Sequence, residues 1–256
     1  MKALFLLTLL PLVGLGQTTG ELYTNGLAKA DAHDFAGAEA AYSKVIALDP
    51  AHWNAYGARG WARLAQTNLD GALADFNKVI ELHPEAYKAW FNRGSIWADK
   101  RPDLALVDFT QTIKLKPDFA AAYCFRATLE IVTTNLVGAL ADANKAISLD
   151  PTNSALAYIV RGRHRAGQDD LDGALADFDR AVELTPDCAV AYYWRGRLKQ
   201  QQKNWTALAD YAKAIDLEPN YQVAYEARAV MRQAKGDTAG AAADEKKAAQ
   251  LANHPK

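Results

Sequence analysis

Residues 55–84, AYGARGWARLAQTNLDGALADFNKVIELHP, decide the fold, because nearly everything after the first twenty residues is a variation on them. Their first half places Tyr56, Gly60 and Arg63 on one side of a helix, and their second half places Ala72, Phe76 and Val79 on one side of another. Pro84 ends the second helix. Two amphipathic helices joined by a short turn make a hairpin. Neither helix can bury its apolar face alone, so a unit this short is stable only where copies stack and share one core.

The copies are found by their prolines. Pro50, Pro84, Pro117, Pro151, Pro186 and Pro219 recur every 33 to 35 residues and close the phrases IALDP, IELHP, IKLKP, ISLDP, VELTP and IDLEP. Twelve residues before each proline stands an alanine (38, 72, 105, 139, 174, 207), and four residues after that alanine come Tyr42, Phe76, Phe109, Ala143, Phe178 and Tyr211. A small residue followed one turn later by an aromatic is the spacing of a close-packed seam between helices. The first helices carry a second phrase, an aromatic followed by x-x-Arg and then a small residue: Tyr56 with Arg59-Gly60, Trp90 with Arg93-Gly94, Tyr123 with Arg126-Ala127, Tyr158 with Arg161-Gly162, Tyr192 with Arg195-Gly196 and Tyr225 with Arg228-Ala229. Leu22, Asn25 and Gly26 are a degenerate copy at the start. A glycine or alanine after the arginine lets the second helix approach, so these glycines are packing residues and not phosphate loops.

With these residues the chain resembles the tetratricopeptide repeat family, a 34-residue helix-turn-helix with an aromatic, a small residue, an alanine, a second aromatic and a closing proline. The resemblance implies an all-α, right-handed α-solenoid over residues 17–256, in seven copies at about 19–52, 53–86, 87–119, 120–153, 155–188, 189–221 and 222–254. The third and sixth copies are one residue shorter between their helices. The fourth has Ala143 in place of the seam aromatic, which predicts a looser or differently filled seam. The seventh has Glu245 there, followed by Lys246 and Lys247, as expected of a solvated end cap.

Each copy from the second onward also carries an aspartate just before the seam position. Arg59 and Asp75, Arg93 and Asp108, Arg126 and Asp142, Arg161 and Asp177, Arg195 and Asp210, and Arg228 and Asp244 are 15 or 16 residues apart, the shorter spacing falling in the copies with the shorter turn. The first copy has Asn25 and Ala41 instead, so both partners vanish together. Pairing within a copy leaves no orphan, whereas pairing across copies would strand Arg59 and Asp244. These are expected to be architectural ion pairs between the two helices of a repeat.

The remaining chemistry is sparse. The 256 residues are half hydrophobic with a formal charge of -1, which suits a soluble solenoid and lacks the basic face that nucleic-acid binding needs. Five histidines have no metal-binding spacing, and there is no Walker loop, nucleophile elbow or paired Cys-x-x-Cys, so no cofactor, metal or catalysis is expected. Asp169-Asp170-Leu171-Asp172 lacks the rest of a calcium loop, and Asp172 is assigned as a helix N-cap. Residues 1–16 differ in kind: Lys2, an apolar run from Ala3 to Leu15 and small residues before Gln17 read as a secretory signal peptide, since about thirteen apolar residues are too few for the roughly twenty that span a bilayer. The mature chain is therefore expected to be periplasmic or extracellular. Cys124 and Cys188 fall at non-equivalent positions and are expected to be small buried apolar residues.

In the family that this chain resembles, the first helices line a concave groove that holds a partner segment. Carried over, the groove positions include Tyr23, Phe91, Ile159 and Tyr193 after the signature aromatic, and Trp61, Arg163 and Arg197 after the small residue. That surface is apolar early and basic late. The lysines and asparagines of the family's clamp for a terminal carboxylate are missing. The resemblance thus implies an exported scaffold that binds another protein or peptide segment, with a structural or self-assembling part of an envelope complex as the alternative.

Overall fold

A computed structural model of the chain describes residues 17–133 and 135–253; the signal peptide read at 1–16 lies outside them. The described residues form fourteen α-helices and no strand. They fall into two compact units that divide after Ile96. The first unit holds α1 (Thr19–Asp31), α2 (Phe35–Leu48), α3 (Trp53–Ala65), α4 (Leu69–Leu82) and α5 (Tyr87–Trp97), the last of which ends at the division. The second holds α6 (Pro102–Leu115), α7 (Ala120–Val132), α8 (Leu136–Leu149), α9 (Ala155–Gly167), α10 (Leu171–Leu184), α11 (Ala189–Gln201), α12 (Ala207–Leu217), α13 (Gln222–Lys235) and α14 (Thr238–Ala252). Within each unit consecutive helices pack as antiparallel hairpins and each hairpin stacks on the next, which is the α-solenoid arrangement.

The turn inside each hairpin is specified locally. His33, Thr67, Asp169, Lys203 and Gly236 have left-handed φ values of 56° to 88°. In four of these turns an Asp or Asn follows (Asp34, Asn68, Asp170, Asp237) and caps the next helix, accepting a hydrogen bond from the N–H of a glycine three residues on; Asn135 does the same in the fourth repeat. Asp170, not Asp172, is therefore the N-cap of α10. Asp172 lies within the first turn, where its charge faces the helix N-terminus. Between repeats, each second helix ends two residues before its proline, with Asp49, His83, Lys116, Asp150, Thr185 and Glu218 as C-caps.

The seam alanines and aromatics are the driest part of the molecule: Ala38, Tyr42, Ala72, Phe76, Ala174, Phe178, Ala207 and Tyr211 are all essentially inaccessible. Each aromatic lies against the glycine of the preceding helix. A Cβ on Gly60, Gly162 or Gly196 would stand 3.0, 2.8 and 2.8 Å from the ring of Phe76, Phe178 and Tyr211. Glycine thus makes room for the aromatic, and the two copies that lack the aromatic, with Ala143 and Glu245, carry Ala127 and Ala229 instead. Glu245 is exposed, as expected of an end cap. Cys124 is buried and Cys188 half-buried, and both are free thiols.

Candidate functional site

Two sets of side chains carry chemistry, the ion pairs between paired helices and the face of the first helices. The pairs come first, because they hold that face in place. Arg59 bonds Asp75 bidentately, through Nε and Nη2 at 3.0 and 2.7 Å. Arg126 with Asp142, Arg161 with Asp177, Arg195 with Asp210 and Arg228 with Asp244 repeat that geometry at 2.6 to 3.2 Å. The aspartates are almost wholly buried, 6 % exposed or less. Such hydrogen bonds hold the guanidinium groups of Arg59, Arg126, Arg161 and Arg228 above the usual arginine range. The remaining predicted partners belong one to each unit: Arg93 donates to Asn77 at 2.7 Å, and Asp108 is buried, its carbonyl accepting from the Thr112 hydroxyl.

Three features of this lattice were missed from sequence. A second cation, four residues after the first, reaches the same carboxylate: Arg63 to Asp75, Arg165 to Asp177 and Arg232 to Asp244 at 2.8 to 2.9 Å, with Lys199 in that role beside Asp210 at 2.8 Å. The i, i+4 spacing was a readable signal. Next, the free Nη1 of the first arginine reaches back to the preceding repeat, sixteen residues earlier, at Ser43 from Arg59, Thr110 from Arg126 and Asp179 from Arg195. The seam aspartate pairs within its repeat, but the arginine also ties that repeat to its neighbour, in Arg195 through a second carboxylate. Last, the signature aromatic three residues before each arginine lies under its guanidinium, at 4.9 to 6.0 Å, from Tyr56 to Tyr225.

The groove residues divide between the units. In the first unit, Tyr23 is half-buried against the rings of Tyr42 and His52, at 5.5 and 5.3 Å. Trp61 keeps 51 % of its surface exposed and meets Phe35 edge-on at 5.5 Å. Phe91 is half-buried. In the second unit, Ile159 is 4 % exposed, packed among Tyr158, Phe178 and Leu198, so it is a core residue and not part of a binding surface. Tyr193 is also mostly buried, within ring contact of Trp194, Tyr211 and Tyr221, but its edge reaches the surface of a cavity.

That cavity, about 650 Å³, lies across the first helices α9, α11 and α13 and is lined by both Arg163 and Arg197. Arg163 stacks on Trp194, 4.2 Å from the ring centroid, and burial pushes its guanidinium below the usual arginine range. Arg197 donates to the Tyr193 hydroxyl oxygen at 3.1 Å. Neither has a carboxylate within ion-pairing distance among the described residues, unlike the arginines of the lattice. The arrangement offers two positive charges and a flat aromatic surface. Trp194, two residues after the signature tyrosine, was not singled out from sequence, because one more aromatic on an apolar helix reads as core.

The described residues contain no cluster of three or more metal-ligating side chains and no helix long and apolar enough to cross a membrane. A structure of a tetratricopeptide repeat protein from Parabacteroides merdae is similar over 94% of this chain and 95% of its own, with a TM-score of 0.71 and 22% identity. YrrB, described as a tetratricopeptide repeat protein with an unusual peptide-binding site, is similar over 73% of this chain and 97% of its own (TM-score 0.54, 24% identity). PilW, described as a type IV pilus biogenesis factor, is similar over 76% and 91% (TM-score 0.63, 20% identity). At these identities the likeness is one of fold. None of the curated proteins matches the chain significantly. The tetratricopeptide repeat model itself matches residues 23–80, 58–108 and 159–207, more than half of the sequence, and the chain belongs to the tetratricopeptide repeat family.

Proposed function

We propose that this protein is an exported, non-catalytic scaffold whose first helices hold a segment of another protein. Membership of the family supports the scaffold role, since such repeats serve protein–protein interaction. The observation that carries the reading is the cavity across α9, α11 and α13, where Arg163 and Arg197 lack the carboxylates that every lattice arginine of that unit possesses. Arg163 is half-buried, and its charge without a counter-ion is costly within the protein alone, a cost recovered when a partner supplies the carboxylate, while the exposed Arg197 adds a second positive charge beside it. In the first unit, exposed Trp61 supports the same use of its first helices, as aromatic side chains are common anchors of interfaces.

Selection of a random peptide library on the purified protein tests this. Binders should be enriched, and Trp194→Ala should lose them while leaving helicity and Tm near the parent values; the pair Trp61→Ser and Phe91→Ser should lose any binder seated on the first unit. A library that yields no binder, or variants that all bind as the parent does, overturns the scaffold reading. Export rests on Lys2 and the apolar run from Ala3 to Leu15. Mass spectrometry of the native protein should find a chain starting near Gln17, and an intact Met1 overturns that part.

A further inference from the structure

A second cavity of about 340 Å³ adjoins the first, lined chiefly by apolar side chains, among them Ile131, Leu136, Leu140 and Val160. Arg163 and Trp194 line both cavities, so the cationic and apolar surfaces meet at one stacked pair. The Arg197 guanidinium lies 6.0 Å from the same indole centroid. Glu226 also borders the larger cavity, but it is a single carboxylate beside two arginines and accepts a hydrogen bond from Gln222, which leaves a positive excess. Together the two cavities run over the fourth to seventh repeats and open to solvent along that course.

We propose that this double cavity recognises an extended segment of a partner protein carrying an acidic side chain two residues from a large aliphatic one, with the carboxylate on Arg163 and Arg197 and the aliphatic group in the smaller cavity. This rests on the scaffold reading and names the chemistry of its partner. The two-residue spacing follows from the strand repeat: side chains at i and i+2 of an extended chain share one face, about 7 Å apart, whereas neighbours point to opposite faces. Arg163 borders both cavities, and an acid and an apolar group on one face of the segment reach its two sides together. The indole holds the guanidinium in place and removes part of its water, which strengthens a charge-assisted bond to a carboxylate. Burial, which weakens the hold of this guanidinium on its charge, acts in the same direction, since an incoming carboxylate reverses it.

Fluorescence polarisation with short peptides, blocked at both ends and otherwise polar and uncharged, decides it. The parent protein should bind a Glu-x-Leu peptide, and Gln-x-Leu, Glu-x-Ala and adjacent Glu-Leu versions should each bind about tenfold more weakly. Arg197→Gln and Arg163→Gln should each reduce the preference for the Glu-x-Leu peptide over the Gln-x-Leu peptide. The peptide arms all use the parent protein, so they read the register even if Arg163→Gln unfolds. Equal binding of Gln-x-Leu and Glu-x-Leu, or of the two spacings, overturns this inference and leaves the scaffold reading standing. Binding that appears only when Gln-x-Leu is given a free C-terminal carboxylate also overturns it, by assigning the arginines to a chain end. A parent protein that binds neither these peptides nor any library peptide overturns both.

Discussion

The fourth and fifth repeats stand next to each other and are built to the same plan, yet one is fully furnished and the other is not. In the fifth, Gly162 lies against Phe178, and Asp177 receives Arg161 bidentately and Arg165 besides. In the fourth, Ala127 faces the position held by Ala143, and Asp142 is bonded by Arg126. The residue at the place of Arg165 is Glu130, an acid. Its Oε1 accepts from Asn135 at 3.0 Å, while its Oε2 is buried without a hydrogen-bond partner. Desolvation, and then the charge of Asp142, raise its pKa. The comparison teaches that the repeat tolerates loss when the loss is matched. Ring and glycine disappear together, leaving two buried alanines at the same seam. Replacing the second cation by a carboxylate is not matched, and the penalty appears as an unsatisfied buried oxygen.

The sharpest way to break the comparison is to strip the seam of the fifth repeat. Phe178→Ala without a matching change at Gly162 should cost about 3–5 kcal/mol in chemical denaturation, because the ring is wholly buried. A loss below about 1 kcal/mol would mean that the seam collapses as easily as that of the fourth repeat. Next in size is the carboxylate. Asp177→Ala should cost about 2–3 kcal/mol, since it strands two arginines, and a double-mutant cycle should show Asp177 coupled to both Arg161 and Arg165 but little to Arg195. Equal coupling to Arg195 would overturn pairing within the repeat. Smaller again is the glycine: Gly162→Ala should cost about 1–2 kcal/mol by pushing a Cβ into the Phe178 ring, whereas Ala127→Gly should lose only helix propensity, about 1 kcal/mol or less.

Glu130 makes the comparison dependent on pH. A carboxyl whose folded pKa is raised binds its proton more tightly in the folded chain, so its contribution to stability is present below the ordinary glutamate value and is lost as pH rises through the raised one. The groups that face it are Asp142, which opposes ionisation, and Arg126 and Asn135, which favour it. Glu130→Gln should therefore raise stability by about 1 kcal/mol near neutral pH and leave it unchanged below the carboxylate range. Denaturation curves that respond equally at both pH values would show that Glu130 is not the cause. The smallest effect concerns Lys145, which stands sixteen residues before Arg161, where Thr110 and Asp179 accept from the arginines of other repeats. Lys145→Thr should supply that acceptor and stabilise by about 0.5 kcal/mol; no change in Tm would show that the bond is not worth its ordering.

The sequence by itself determined whatever is periodic. The 34-residue spacing of the prolines, the seam alanines and aromatics and the Arg and Asp positions sufficed for the hairpin, the stacking and the pairing within a repeat. The reason is that a solenoid repeats one local geometry, so that side chains 15 or 16 residues apart meet in the same way in the five repeats whose two helices lie in one unit and carry the pair. The coupled exchange of Gly and aromatic for two alanines was equally legible, but it became intelligible only with the ring against the glycine. What the tertiary structure alone decided is how much of each non-periodic side chain remains in water. Ile159 and Arg163 are four residues apart on one helix and were read as one groove, yet the first is sealed in the core and the second borders two cavities. Exposure depends on the helix that packs against each turn, and on the size of that helix's side chains. For the same reason Trp194, unremarked in the sequence, lies at the junction of the cavities, and Glu130, one acid among thirty acidic residues, has a buried oxygen with no partner. Local periodicity specifies which residues face a neighbouring helix; only the packed neighbour decides which of them still meet solvent, and therefore which can meet a partner.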